Sequence, residues 1–296
     1  MILCEEDFRL GGRLLSDRAE IDAKPAAVWA AEAERDLRAM DNVTVMPRGA
    51  VFGVYDGGTY AALERVGDHL IVPAPHQPRQ RLWRIVAKSA VVATGTLRAP
   101  HRLRRQRPAG VMLASAARTY LNRFAAAPAR RMCVFTTTDD GWSTVADLQA
   151  AGVHVEAVID PRPEVSETLL SLAEWAGTEV YLGGHVVGVS GGAGVTGLEI
   201  ALDGTTTTRV RTDGLAVSGG FNPALGLTSH LGSRPQWLEE VAAFVPGEMP
   251  PGMSVAGSVW GRFGLGRVLA DGAAAGGAGG RGPGLRGAAP ARAPGA

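Results

Sequence analysis

Glu5 and Glu6 close a short apolar run, Met1-Ile2-Leu3-Cys4, and stand ahead of Gly11-Gly12-Arg13. An ionised carboxylate at a strand end is an acceptor-only group, suited to the paired hydroxyls of a ribose. The paired glycines let the backbone pass a bound group without Cβ interference. A one-residue register slip selects Glu6 in place of Glu5. A solvated acid pair is the competing reading. A further apolar segment leaves through a glycine turn, Val91-Val92-Ala93-Thr94-Gly95. Such a turn falls at the carboxyl end of a strand, where open α/β sheets bind ligands. The candidate cofactor-binding residues read this way are Glu5, Glu6, Gly11, Gly12, Arg13, Thr94 and Gly95.

Other constellations carry less. Gly192-Ala193-Gly194-Val195-Thr196-Gly197 matches the G-x-G-x-x-G string, but it lies between two strand-like segments and reads as a hairpin turn. Thr136–Gly141 stands where a phosphate-binding turn belongs without its glycine pattern, and Asp139 and Asp140 read there as helix caps. Six scattered histidines have no metal-ligand spacing, so no metal site is expected. Ser229-His230 lacks a third partner for nucleophile chemistry. The arginines from Arg98 to Arg107 read as a solvated loop, with a phosphate cradle or a subunit contact as the alternatives. No acid, base or nucleophile is assigned.

These residues need strands and helices to hold them. A strand ending at Glu5, a helix after Pro25 and strands from Val43 to Ala93 make a β-α-β start followed by an antiparallel meander. Arg130–Thr136, a helix near Ser143–Ala151 and Val153–Ile159 repeat the β-α-β pattern, with a second set of short strands behind. The expected class is α/β, two dinucleotide-binding domains with antiparallel meanders. The predicted division is 1–128 with 213–272 as the first domain and 129–212 as a second, degenerate one. From 273 to 296 the composition is Gly, Ala, Pro and Arg, which predicts a disordered tail.

Composition narrows the class. A net charge of +1 gives no electrostatic footprint for nucleic acid. No apolar run reaches the roughly 18 residues a membrane helix needs. Cys4 and Cys133 sit in apolar strands as buried thiols, and no secretory signal is visible, so a reduced cytoplasmic setting is expected.

Larger strings are more discriminating. Arg118-Thr119-Tyr120-Leu121-Asn122-Arg123 and Val217-Ser218-Gly219-Gly220-Phe221-Asn222-Pro223 join Leu3–Leu15, Val91–Pro100 and Arg107–Ala116 in a set that resembles the alpha subunits of heterotetrameric sarcosine oxidases, over roughly residues 1–272. Thr94-Gly95 with Pro100 is similar to the crossover motif of two-dinucleotide-domain flavoproteins. Gly257 falls in the segment Met253-Ser254-Val255-Ala256-Gly257, similar to their late Ala-Gly-Asp motif with Ser258 replacing the acid, and the resemblance makes it a further candidate cofactor-binding residue. The resemblance implies an FAD/NAD(P)-binding core that takes NAD, within a complex that also holds FMN and FAD. It implies beta, gamma and delta partner subunits, and oxidative demethylation of sarcosine carried out on another subunit. It also implies a core truncated at both ends, without its opening Gly-rich turn, so that this chain alone is expected to bind cofactor weakly or not at all. A related flavin-dependent amine or opine dehydrogenase subunit, or a non-catalytic remnant, are the alternatives.

Overall fold

A computed structural model of the chain describes residues 1–100, 109–175, 177–202, 204 and 206–279. Residues 101–108, which hold most of the arginines read above as a solvated loop, and residues 280–296 of the expected disordered tail lie outside the described residues. The chain divides into two units: Met1–Leu14, Ala19–Leu97 and Asn222–Ala296 form the first, Leu15–Arg18 and Arg98–Phe221 the second.

In the first unit, β1 (Ile2–Glu5) leads through the small ribbon β2 (Glu20–Ile21) and β3 (Lys24–Pro25) to α1 (Ala26–Arg38). Pro25 immediately precedes the helix at φ −52°, a value its ring already fixes. Ala26 and Ala30 are buried, while Arg35 and Arg38 occupy the last turn, where free carbonyls favour cations. β4 (Thr44–Pro47) then lies parallel to β1, with Ile2 opposite Thr44 and Glu5 opposite Pro47. The chain continues as an antiparallel meander, β5 (Gly49–Tyr55), β6 (Thr59–Arg65) and β7 (Gln80–Val86). Gly57 and Gly58 turn it at φ +66° and +65°, as a tight hairpin requires. After β8 (Ala90–Val92) comes the short strand β9 (Thr96–Arg98), and late in the chain β18 (Phe221–Pro223), α5 (Gly226–Ser229), β19 (Gln236–Leu238) and β20 (Ala243–Val245) lead to β21 (Met253–Val255). β8 pairs in parallel with β21.

Val54, Val92 and Met253 form the small core under this meander. His230, weighed above as half of a Ser-His pair, instead accepts a hydrogen bond from the Val54 N–H at its Nδ1, at 3.0 Å. Among the described residues no strand joins the pair β1–β4 to the pair β8–β21. Ile2 and Val91 stay 44% and 41% exposed, more than parallel strands usually are.

The tail differs from expectation. α6 (Leu265–Gly279) runs through 273–279. Alanine favours helix strongly enough to offset part of the glycine cost. The helix is also pinned, since Asp271 accepts from the Gly257 N–H at 2.6 Å and pairs with Arg262 at 3.0 Å.

The second unit is built on a five-stranded parallel sheet. Its strands are β10 (Val111–Leu113), β11 (Arg131–Thr136), β12 (His154–Asp160), β13 (Glu179–Leu182) and β17 (Gly214–Ser218), in the order β10-β17-β11-β12-β13. Successive side chains of β11 alternate between its faces. Met132 and Val134 pack with Trp142, Val145 and Leu148 of α3 (Asp139–Ala150). Cys133 and Phe135 pack on the other face with Val189, Leu198 and Ile200. Those three come from the meander β14 (His185–Gly191), β15 (Val195–Leu202) and β16 (Thr206–Val210). The G-x-G-x-x-G string sits at the β14–β15 turn, with Gly191 opposite Val195 in an antiparallel pair, so it is a hairpin. α4 (Glu167–Trp175) connects β12 to β13.

This unit is larger than the predicted 129–212. β10 and the helix α2 (Ala114–Arg118) belong to it because Val111–Leu113 pairs with Leu215–Val217, more than a hundred residues later. Burial holds the Cys133 thiol uncharged, its pKa pushed up to about 12. Cys4 is half-buried and its pKa is also raised, by burial and by Glu64. Thiol titration of the native protein at pH 8 is therefore expected to count Cys4 alone, and both cysteines after denaturation. Equal reaction of both in the native state would contradict this packing.

The family-like strings have structural work here. α2 passes into a π-helical turn, Thr119–Arg123. Buried Arg118 bonds Asp147 through Nε at 2.5 Å and Asp17 through Nη2 at 2.8 Å. Asn122 donates to the same Asp147 carboxylate and to the Ser16 carbonyl, at 2.8 and 2.9 Å. The segment Leu15–Arg18 is thereby held on this unit. In the second string, Gly219 N donates to Ala99 O and Ala99 N to Gly220 O, both at 3.0 Å. Gly220 stands at φ +97°, where a side chain would be strained.

Candidate functional site

Glu5 is the last residue of β1, at the carboxyl end of a parallel strand. The loop after it folds back on itself. Asp7 N donates to Glu5 Oε1 at 2.9 Å, and Phe8 N donates to Asp7 Oδ1 at 2.6 Å. Leu10 N points at Glu34 of α1 at 3.5 Å, a weak bond by geometry. The start of the meander holds the other wall. Arg48 N donates to Asp7 O at 2.9 Å, and the Arg48 guanidinium lies 5.1 Å above the Phe8 ring. Arg65, at the end of β6, donates to the Glu6 carbonyl at 3.2 Å.

These groups enclose an open cavity of about 630 Å³, completed by Gly12, Asp68 and His69. Burial raises the Glu5 carboxyl above its ordinary range, and the Asp7 N–H holds back part of that rise. Asp68 is kept below its usual range by hydrogen bonds from Arg79 and Gln80. A Cβ on Gly12, at φ +50°, would meet nothing within 4 Å. The backbone there is open to a bound group, and a partly buried acceptor sits beside it. The cavity has room for a nucleoside and the donor and acceptor types to hold one.

Of the residues read from sequence, Glu5, Glu6 and Gly12 line this cavity. Gly11, at φ +128°, and Arg13 flank Gly12, Arg13 in a short 3-10 turn. Thr94, Gly95 and Gly257 form a separate group at the carboxyl ends of β8 and β21. Thr94 Oγ1 donates to Ala224 O at 2.9 Å, and a Cβ on Gly95 would lie 3.7 Å from Ser258 Oγ. Gly257, at φ +78°, is held by Asp271. Sequence reasoning missed Phe8, in the loop after β1, and Arg48 and Arg65, which the meander brings to that loop, as well as Asp271, whose carboxylate holds the Gly257 N–H.

In the second unit, Asp139 and Asp140 are not caps. Thr138 is the N-cap, without a side-chain bond, and the two acids lie in the first turn of α3. Asp140 pairs with buried Arg98, which also bonds Ser218 and lies 4.5 Å above the Phe221 ring. Asp139 pairs with Arg162 at 2.7 Å.

Two parallel β-α-β units, each with an antiparallel meander, place the chain in the fold of FAD/NAD(P)-dependent flavoproteins. Solved structures agree. Thioredoxin reductase of T. acidophilum superposes with a TM-score of 0.66 at 17% identity, covering 91% of this chain and 86% of that one. L-proline dehydrogenase from P. horikoshii gives 0.64 at 19%, covering 87% and 45%. At such identities the likeness is one of fold. The sequence is more particular: it is similar to sarcosine oxidase subunit alpha of Rhizobium meliloti (strain 1021), 42% identical over 275 residues. The same subunit of Corynebacterium sp. (strain P-1) is 34% identical over 287 residues. The matches cover 93% and 94% of this chain, which spans 27% and 30% of the length of those relatives. No protein-family model matches the chain. Among the described residues, no helix is long and apolar enough to cross a membrane, and no group of three His, Cys, Asp or Glu is placed to hold a metal.

Proposed function

We propose that this chain supplies the nucleotide-binding part of a sarcosine oxidase-type oxidoreductase, and that the Glu5 cavity holds the adenosine half of a dinucleotide. The observation that carries the reading is a partly buried carboxylate at the carboxyl end of a parallel strand, lining an open cavity of nucleoside size. Sequence similarity to the alpha subunits supports the activity class. NAD is the group favoured by resemblance, with FMN and FAD elsewhere in a complex with beta, gamma and delta subunits in the cytoplasm. When bound, such cofactors supply electron or hydride transfer. The role of this chain is to orient and desolvate the nucleotide: Glu5 accepts from ribose hydroxyls, and the Phe8–Arg48 pair presents a flat face for a base.

Loss of a hydrogen bond to a charged group costs about 1.5–3 kcal/mol, so Glu5→Ala in a full-length version of the subunit is expected to weaken NAD binding about tenfold or more, read by calorimetry. The acceptor is the ionised carboxylate, so nucleotide binding favours the charged form. Affinity should therefore fall as pH drops through the raised pKa of free Glu5, and level off above it. Unchanged affinity in the variant, or a flat pH profile, would remove Glu5 from the site.

A further inference from the structure

We infer that the second unit takes no dinucleotide, because its own side chains fill the place where one would dock. A pyrophosphate turn between strand and helix needs glycine at its first, third and sixth positions. Here those positions are Thr136, Thr138 and Gly141. The sixth is retained for packing: a Cβ on Gly141 would overlap Thr136 and press Ser218 at 3.1 Å. The other two are replaced in a way that consumes the donors a phosphate would use. Thr138 N donates to Thr136 Oγ1 at 3.1 Å, and Thr137 N donates to Ser218 O at 3.1 Å. Gly141 N donates to Thr138 O, also at 3.1 Å.

The charges point the same way. An anion at a helix N-terminus is stabilised by free N–H groups and the helix dipole. In α3 that position is taken by Asp139 and Asp140, each paired with an arginine. The strand-end acid of this unit, Asp160, is fully buried and committed. Its Oδ2 accepts from Trp142 Nε1 at 3.0 Å and Arg162 Nη2 at 2.7 Å, and its Oδ1 from Arg162 N and Nε, both at 3.0 Å. Arg162 thus bridges the end of β12 to the first turn of α3. No acceptor is left for a ribose, and two carboxylates confront any phosphate. The unit is a scaffold closed by ion pairs, so among the described residues the Glu5 cavity is left as the dinucleotide site, and that conclusion rests on the Glu5 reading.

Hydrogen exchange of the full-length subunit with saturating NADH, NADPH or FAD tests this without relying on a variant that folds. No added protection is expected in 131–142 or 158–163. Protection in either segment would overturn the inference. Protection at 5–12 alone supports both readings, and protection in none of these segments defeats the Glu5 reading while leaving the second unit closed. As a second measurement, Arg162→Ala is expected to lower the melting temperature with nucleotide affinity unchanged. A fall in affinity of threefold or more, matched by lost protection at 158–163, would equally overturn it.

Discussion

Arg118→Ala is expected to destabilise the second unit by about 3–5 kcal/mol, the range for removing one partner of a buried ion pair. The side chains of Arg118 and Asp147 are both 6% exposed, so water cannot replace the lost contact. Burial works against the Arg118 charge, but Asp147 and Asp17 outweigh it and hold the guanidinium protonated. Without it, Asp147 keeps only the Asn122 amide at 2.8 Å, and Asp17 loses its tie to α2. Urea unfolding followed by hydrogen exchange of the segment around buried Trp142 measures the loss. Replacing both partners, Arg118→Met with Asp147→Leu, should recover much of it, because no uncompensated charge remains. The single variant should also release Ser16–Asp17, making the bond after Arg18 more sensitive to trypsin. A loss below about 1 kcal/mol would mean that the pair is solvated and that the latch is not a structural tie.

That latch marks what the sequence made legible and what it did not. Local patterns were sufficient for the elements: the strand read from Val43 to Met46 is β4 at Thr44–Pro47, and the helix after Pro25 is α1. That Glu5 and Gly12 could be singled out, and both line the cavity, follows from short-range signals, a strand-end acid and a glycine pair. The unit boundary was not legible, since it depends on β10 pairing with β17 across about a hundred residues. The Arg118 string stood out as distinctive, yet its partners Asp17 and Asp147 come from distant segments that no spacing rule connects. The α6 helix was missed for a different reason. Its Gly/Ala composition argues against a core, but the Asp271 carboxylate fastens it at one point to Gly257. Composition gives the propensity of a segment and not its anchors.

Gly141→Ala provides the other large effect, and its sign is the informative part. In an exposed helix interior, alanine for glycine gains roughly 0.5–1 kcal/mol. Gly141 lies in the first turn of α3 and has no left-handed backbone, so only contact geometry opposes the change. A Cβ there would overlap both Oγ1 and Cβ of Thr136, itself fully buried at the end of β11. Neither atom is the end of a flexible side chain, so helix and strand must separate. Overpacking of this kind costs about 1–3 kcal/mol, which reverses the usual gain. Thr136→Gly should rescue the variant in part by removing both overlapping atoms, while giving up the hydroxyl bonds to Thr138. A double-mutant cycle is expected to show favourable coupling of about 1 kcal/mol or more between the two positions. If Gly141→Ala instead stabilised the protein, α3 would not pack as closely on β11 as this account of the closed second unit demands.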